Sequence, residues 1–182
     1  LARDATAEQI APLQPDLVIF KTYMREKVGM PVEILGIPVI YLDLETPDQF
    51  YADLRTIGQV FGNATHAEDL IAMYQANETR ISEGLKGMSD TYKPSVLVLE
   101  YKNKGGELTF SVPPTNYLQT VIVERAGGVP VWKDVITDGG WTVVTLEQIA
   151  AWDPQIIFIV DYSGTAVEVV TGLKQDPKWQ AM

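Results

Sequence analysis

Apolar positions along the chain alternate between helical spacing and short strand-like runs. Phe50, Leu54, Ile57 and Phe61 recur every three or four residues behind Thr46-Pro47. That pattern predicts an amphipathic helix with Thr46 as N-cap, Pro47 in the first turn and Gly62 as its stop. A second helical pattern, Leu70, Ile71, Tyr74, Ile81, Leu85 and Met88, follows the capping box Thr65-His66-Ala67-Glu68 and runs to Thr91 without a proline. Unbroken, it makes one helix of about 25 residues, roughly 38 Å long. Gly84 and Gly87 leave open a break near Gly84. Strand-like runs occupy residues 16–20, 39–43, 95–101 and 107–112. The first two are separated by a charged, weakly helical stretch (residues 21–27) and predict a parallel βαβ unit whose strands end on one edge, at Phe20 and Asp43. Open α/β sheets bind their ligands at that edge. The polar residues 102–106 connect the other two runs as a hairpin or a long loop. Residues 116–126 read as a helix ending in a left-handed glycine cap at Gly127-Gly128, followed by an irregular stretch over 129–144 and a last helix over 166–173.

One pattern occurs twice. Residues 6–20 read without a gap against residues 145–159, with Thr6/Thr145, Glu8/Glu147, Gln9/Gln148, Ile10/Ile149, Ala11/Ala150 and Pro15/Pro154 identical. Each copy predicts a short capped helix, a proline that stops it, and an apolar strand suited to burial on both faces. Two similar lobes follow from the repeat.

Composition narrows the function. At 182 residues and 46% hydrophobic, the chain can bury the core of one large domain or two small ones. Its net charge of -10 repels a phosphate backbone and argues against nucleic acid as a partner. The absence of Cys removes disulfides, thiolate metal sites and cysteine nucleophiles. His66 is the only histidine and cannot assemble a His-rich metal site. No Gly-x-Ser-x-Gly and no phosphate-binding glycine loop follows any strand, so catalysis is not expected. There is no apolar run of about 18 residues to span a membrane. Leu1 at the start and the stop just after Trp179 are expected to be trimmed ends.

The ordered set Glu8-Gln9-Ile10 with Pro15-Asp16-Leu17-Val18-Ile19, then Leu35-Gly36-Ile37-Pro38-Val39, then residues 53–62, Ala126-Gly127-Gly128, and residues 144–149 with Trp152-Asp153-Pro154 covers nearly the whole chain. It resembles the substrate-binding proteins of ABC importers for iron-siderophores, haem and cobalamin. The resemblance implies an α/β fold of two Rossmann-like lobes with mainly parallel sheets joined by one long α-helix. It divides the chain into a partial N-terminal lobe (1–64), a connecting helix (65–92) and a C-terminal lobe lacking its end (93–182). It further implies a monomeric protein, periplasmic or lipid-anchored at the cell surface, that performs no chemistry and carries no cofactor or metal site of its own. Such a protein holds a metal chelate in a largely pre-formed cleft between the lobes and delivers it to the permease subunits. A ligand-sensing domain of a membrane receptor, or a catalytic metal-cluster domain, uses the same fold and stands as the alternative.

On that fold, ligand-contacting candidates follow the strand ends: Lys21, Thr22, Tyr23, Asp43 and Glu45 in the first lobe, and Tyr101, Lys102, Ser111, Asn116, Tyr117, Trp141, Asp161 and Tyr162 in the second. Aromatic rings would stack on flat catechol, haem or corrin surfaces, and Lys21 or Lys102 would pair with an anionic chelate. Trp141 leads this set because Gly-Gly-Trp on an irregular loop has no periodic reason to be core. Trp132 and Trp152 read as packing, and Asp161 as turn-forming. In the family each lobe presents an acid near such a helix start to a basic residue of the permease, which here implies Glu8 and Glu147 as docking residues. An acid in a first helical turn also answers to the helix dipole.

Overall fold

In the computed structural model, residues 5–104, 107–134, 140–162 and 164–180 are described. Helix α1 (Ala7–Ile10) and a single 3-10 turn lead into strand β1 (Val18–Phe20). A 3-10 and a π turn then run into helix α2 (Met30–Ile34), followed by strand β2 (Val39–Tyr41). β1 and β2 pair in parallel with Val18 opposite Val39 and Phe20 opposite Tyr41, the βαβ unit expected from the apolar runs. Ala7, Phe20, Val28 and Val32 form its core, with Ile10, Val18, Met24, Ile37, Val39 and Tyr41 packed around them. The chain passes so close beneath β2 that a Cβ on Gly29 would stand 2.1 Å from the Tyr41 hydroxyl. That hydroxyl donates to Glu33 Oε1 at 2.6 Å. Burial, then the Glu33 carboxylate, holds the phenol above its ordinary range.

Helix α3 (Pro47–Val60) starts where the sequence places it: the Gln49 N–H donates to Thr46 Oγ1 at 3.3 Å and the Thr46 N–H to Gln49 Oε1 at 3.1 Å. It stops at Gly62, which takes φ 67, with the Asn63 N–H donating to the Gly58 carbonyl at 2.7 Å. Gly58 lets the next helix come close, since a Cβ there would lie 2.6 Å from that of Ala67. Helix α4 (Ala64–Gly84) has 21 residues, about 32 Å at 1.5 Å per residue. It is the long helix of the fold, and the boundary between the chain's two units, Leu1–Ile71 and Ala72–Met182, falls within it. The helix ends at Gly84 rather than running to Thr91. Leu85 still donates to Ile81 at 3.0 Å, but Gly87 adopts φ 84, which reverses the chain.

The second unit is built on the ten-residue strand β3 (Ser95–Lys104). It pairs antiparallel with β4 (Glu107–Val112) over Glu100–Lys104, which selects the hairpin over the long loop. β5 (Val129–Pro130) pairs parallel with its first residues. β6 (Thr142–Val144) pairs antiparallel with β4, and β7 (Ile156–Val160) pairs parallel with β3 from Val96 to Glu100. The sheet is thus mixed, and the stretch expected to be irregular contributes two short strands. Helix α5 (Leu118–Arg125) closes with a full Schellman cap: Gly127 at φ 84 donates to Glu124 at 3.0 Å and Gly128 to Val123 at 2.9 Å. α6 (Leu146–Trp152) precedes β7, and α7 (Ala166–Gln175) and α8 (Pro177–Gln180) follow it. Trp132 lies at the centre of this unit's core, fully buried, and donates its Nε1–H to the Pro113 carbonyl at 2.8 Å. Trp152 packs partly buried against the same core, as expected.

The sequence repeat is a repeat of backbone conformation. Thr145 and Gln148 exchange capping bonds at 2.9 and 3.2 Å, and the Thr6 N–H donates to Gln9 Oε1 at 3.0 Å. Nine residues into each copy, Gln14 (φ 46) and Asp153 (φ 44) take the left-handed conformation immediately before the proline. Their N–H groups donate to Ala11 and Ala150 at 3.1 and 3.2 Å. The expectation of strands buried on both faces does not hold. Ile19 is 44% and Phe158 55% exposed, while their neighbours Phe20, Ile157 and Ile159 join the cores. Strand side chains alternate between faces, and only one face of each strand meets its core.

Candidate functional site

The carboxyl ends of β1 and β2 bring Lys21, Thr22, Asp43 and Glu45 together, as the parallel pairing requires. Lys21 Nζ donates to Glu45 Oε1 at 2.7 Å and to the Asp43 carbonyl. Asp43 Oδ1 accepts the Thr22 N–H at 2.9 Å, which ties the two strand-end loops to each other. Beneath them lies a residue that strand-end reasoning did not select. Asp53, on the second turn of α3, accepts the N–H groups of both Asp43 (2.8 Å) and Leu44 (2.9 Å) on one oxygen, Oδ2. Leu44 needs that support because its φ is 56, a conformation that costs a branched side chain about 1–2 kcal/mol. The only sequence signal for Asp53 is that a carboxylate interrupts the apolar face of α3 between Phe50 and Leu54. Tyr23 stands clear of the cluster's hydrogen bonds at 73% exposure, on the 3-10 turn after Lys21.

The second unit repeats the device with other residues. Asp161, directly after β7, uses Oδ1 to accept the N–H groups of Gly164 (2.7 Å) and Thr165 (3.2 Å) and Oδ2 to accept that of Ala166 (3.0 Å). Its charge sits at the N-terminus of α7, where unpaired N–H groups and the helix dipole favour an anion. This is the turn-forming role read from the sequence. Tyr101 of β3 is buried at 9% exposure, with its hydroxyl 2.6 Å from Thr165 Oγ1 and donating to Asp161 Oδ1 at 3.3 Å. Thr165 escaped the sequence reading because its partner is 64 residues away. Tyr162 is 68% exposed beside this turn.

The remaining candidates lie on β3, on β4 and ahead of α5 and β6. Ser111 is buried at 3% exposure, in register with Glu100 and Val143. Asn116 is exposed and Tyr117 half-buried, ahead of α5, where Tyr117 is the N-cap. Lys102 is exposed and lies 3.9 Å from Glu100. Trp141 is half-buried and packs against the second unit's core, so it is not purely a surface ring; β6 begins at the next residue and draws it inward. Two of its loop neighbours, Asp138 and Gly139, lie outside the described residues. Among the described residues no group of three or more His, Cys, Asp or Glu could hold a metal ion, and no helix is long and apolar enough to cross a membrane.

A family model for periplasmic binding proteins matches residues 1–182. The chain belongs to that family. Its α/β architecture, with parallel strand pairs in both units and a long helix between the sheets in sequence, is shared with two-lobed members of known structure. The triscatecholate siderophore-binding protein FeuA of Bacillus subtilis, solved with ferri-bacillibactin, superposes with a TM-score of 0.75 at 15% identity, over 97% of this chain and 61% of that one. A periplasmic haem-binding protein from Pseudomonas aeruginosa gives 0.72 at 26% identity, over 97% and 62%. The molybdate-binding protein MolA of Haemophilus influenzae gives 0.79 at 19%, over 94% and 55%. The chain therefore spans less than two thirds of the length of these three relatives. A comparison with curated proteins finds no sequence match.

Glu8 and Glu147 occupy the second position of α1 and α6, both exposed. A hydrogen bond from the Thr6 side chain, and then the helix-start backbone, lowers the Glu8 carboxyl below the ordinary glutamate range. His66 is likewise exposed, on the first turn of α4.

Proposed function

We propose that this protein is an extracytoplasmic solute-binding protein, periplasmic or lipid-anchored at the cell surface. It captures an iron-siderophore, haem or cobalamin as a monomer and delivers it to the permease subunits of an ABC importer. The observation that carries the reading is the family match over the whole chain. The ligands named for the solved relatives lend it chemical content: ferri-bacillibactin, haem and molybdate each present a metal centre. In this reading Lys21 and Tyr23 of the first unit, and Tyr101, Ser111, Asn116, Tyr117, Trp141 and Tyr162 of the second, supply ligand contacts, while the protein changes no bond in the ligand. Glu8 and Glu147 are the permease-docking pair. Two observations favour that role over capping alone: the acids recur at one repeat position, and the caps are made by Thr6, Gln9, Thr145 and Gln148.

The strand-end loops support a pre-formed site. Asp53 and Asp161 between them accept five backbone N–H groups, which fixes loop geometry before any ligand arrives. Titration of the full-length protein with a ferric siderophore panel, haemin and cobalamin, followed by Trp fluorescence, tests the reading. Saturable quenching by one class is expected; no response to any of them would overturn it.

A further inference from the structure

At the strand ends of the first unit the charges are unequally committed. Lys21 pairs with the Glu45 carboxylate and with the Asp43 backbone carbonyl, while the Asp43 and Asp53 carboxylates accept backbone N–H groups of the same two loops. The two aspartates accept backbone N–H groups and are structural. Lys21 has two of its three donor positions occupied, by Glu45 Oε1 at 2.7 Å and by the Asp43 carbonyl. Yet both partners remain within reach of solvent, with Lys21 38% and Glu45 34% exposed. A pair at that exposure is weak, and a strongly charged competitor can open it. A neutral ligand leaves it closed and meets no net penalty.

We infer that Glu45 sets the charge class of the ligand: by holding Lys21 in an ion pair at the strand-end edge, it disfavours polyanionic chelates relative to neutral ones. The inference rests on the solute-binding reading above and adds a selectivity that the reading lacks. Lys21 then meets the ligand from within that pair, with its charge offset by Glu45. Glutamine at 45 keeps an oxygen that Lys21 can donate to but removes the competing charge. A unit charge about 9 Å from a trianion, across a water-like dielectric, corresponds to about a tenfold change in affinity.

The test compares two ferric complexes of similar size, a trianionic tris-catecholate and a neutral tris-hydroxamate, binding to the full-length protein by Trp quenching at constant salt. Wild type is expected to bind the neutral complex more tightly. Glu45→Gln should tighten the tris-catecholate by about tenfold and leave the tris-hydroxamate within about twofold. Removing both partners, Lys21→Met with Glu45→Gln, restores the wild-type charge balance and should return both affinities to within about threefold of wild type. An unchanged ratio of the two affinities in Glu45→Gln overturns the inference. So does a tenfold loss of tris-catecholate binding in the double variant, because Lys21 would then act on the ligand as an uncompensated charge in the wild type. Should Glu45→Gln not fold, Glu45→Ala takes its place, with the same shift expected in the ratio of the two affinities. A wild-type protein that binds neither complex, nor haemin or cobalamin, overturns the solute-binding reading and the inference with it; a protein that binds but does not discriminate overturns the inference alone.

Discussion

Asp53→Ala probes whether the first unit's strand-end loop is held by α3 or merely lies against it. The carboxylate accepts two N–H groups on Oδ2, from Asp43 at 2.8 Å and Leu44 at 2.9 Å. A hydrogen bond to a charged group is worth about 1.5–3 kcal/mol, and both bonds here are only partly buried, so the lower figure applies and the pair contributes about 2–3 kcal/mol. Leu44 at φ 56 remains strained when the acceptor is gone, so the loop relaxes and takes Asp43, the partner of the Thr22 N–H, with it. Equilibrium urea unfolding followed by far-UV circular dichroism reads the loss. With a slope of about 1–3 kcal/mol per molar urea, the midpoint should fall by about 1–2 M. Asp53→Asn keeps an amide oxygen at the same place and should lose about half as much. An Asp53→Ala protein that unfolds at the wild-type midpoint refutes the reasoning, since the left-handed turn at Leu44 would then need no external acceptor.

Further perturbations separate packing from function. Trp132→Phe leaves the Pro113 carbonyl without its donor and opens a small cavity in a fully buried site, for a loss of about 2–4 kcal/mol in thermal or urea unfolding. Trp141→Leu keeps apolar contact with the second unit's core but removes the flat ring; it should weaken ligand binding at least fivefold while the melting temperature moves by only a few degrees, and the reverse outcome makes Trp141 a packing residue. Glu8→Lys with Glu147→Lys should abolish uptake in a transport assay and leave ligand affinity unchanged; a parallel loss of affinity removes the docking role. Thr6→Val deletes the hydroxyl that lowers the Glu8 carboxyl, so a carboxyl-carbon NMR titration should find Glu8 moved up toward the ordinary glutamate value. Because the folded-state value lies below the unfolded one, Glu8 contributes its stability above the unfolded pKa and loses it as pH falls through the folded one. The variant should accordingly show a shallower fall in stability on the acid side.

What the sequence determined by itself is what short-range chemistry controls. Thr46-Pro47, Thr145 with Gln148, and Gly127-Gly128 mark helix ends because a cap needs only residues three or four apart and a backbone able to turn. The parallel β1–β2 unit was legible because two apolar runs flanking a helix-length connection have one favourable pairing. The repeat gave both helix starts and the position of both acids, though not that its ninth residue turns left-handed without a glycine. Tertiary structure decided the rest. The residues 129–144 carry no strand periodicity, yet β5 and β6 form because β3 and β4 present open backbone donors and acceptors to them. α4 stops at Gly84, where the apolar pattern favoured one helix running on to Thr91 and the glycines offered the break. At the candidate site the identities were readable but the partners were not. Lys21 meets Glu45, Asp53 meets Leu44 and Tyr101 meets Thr165 across separations of 24, 9 and 64 residues, which no local pattern encodes. Whether a lysine stands free or is held by a glutamate depends on those contacts, which the fold alone supplies.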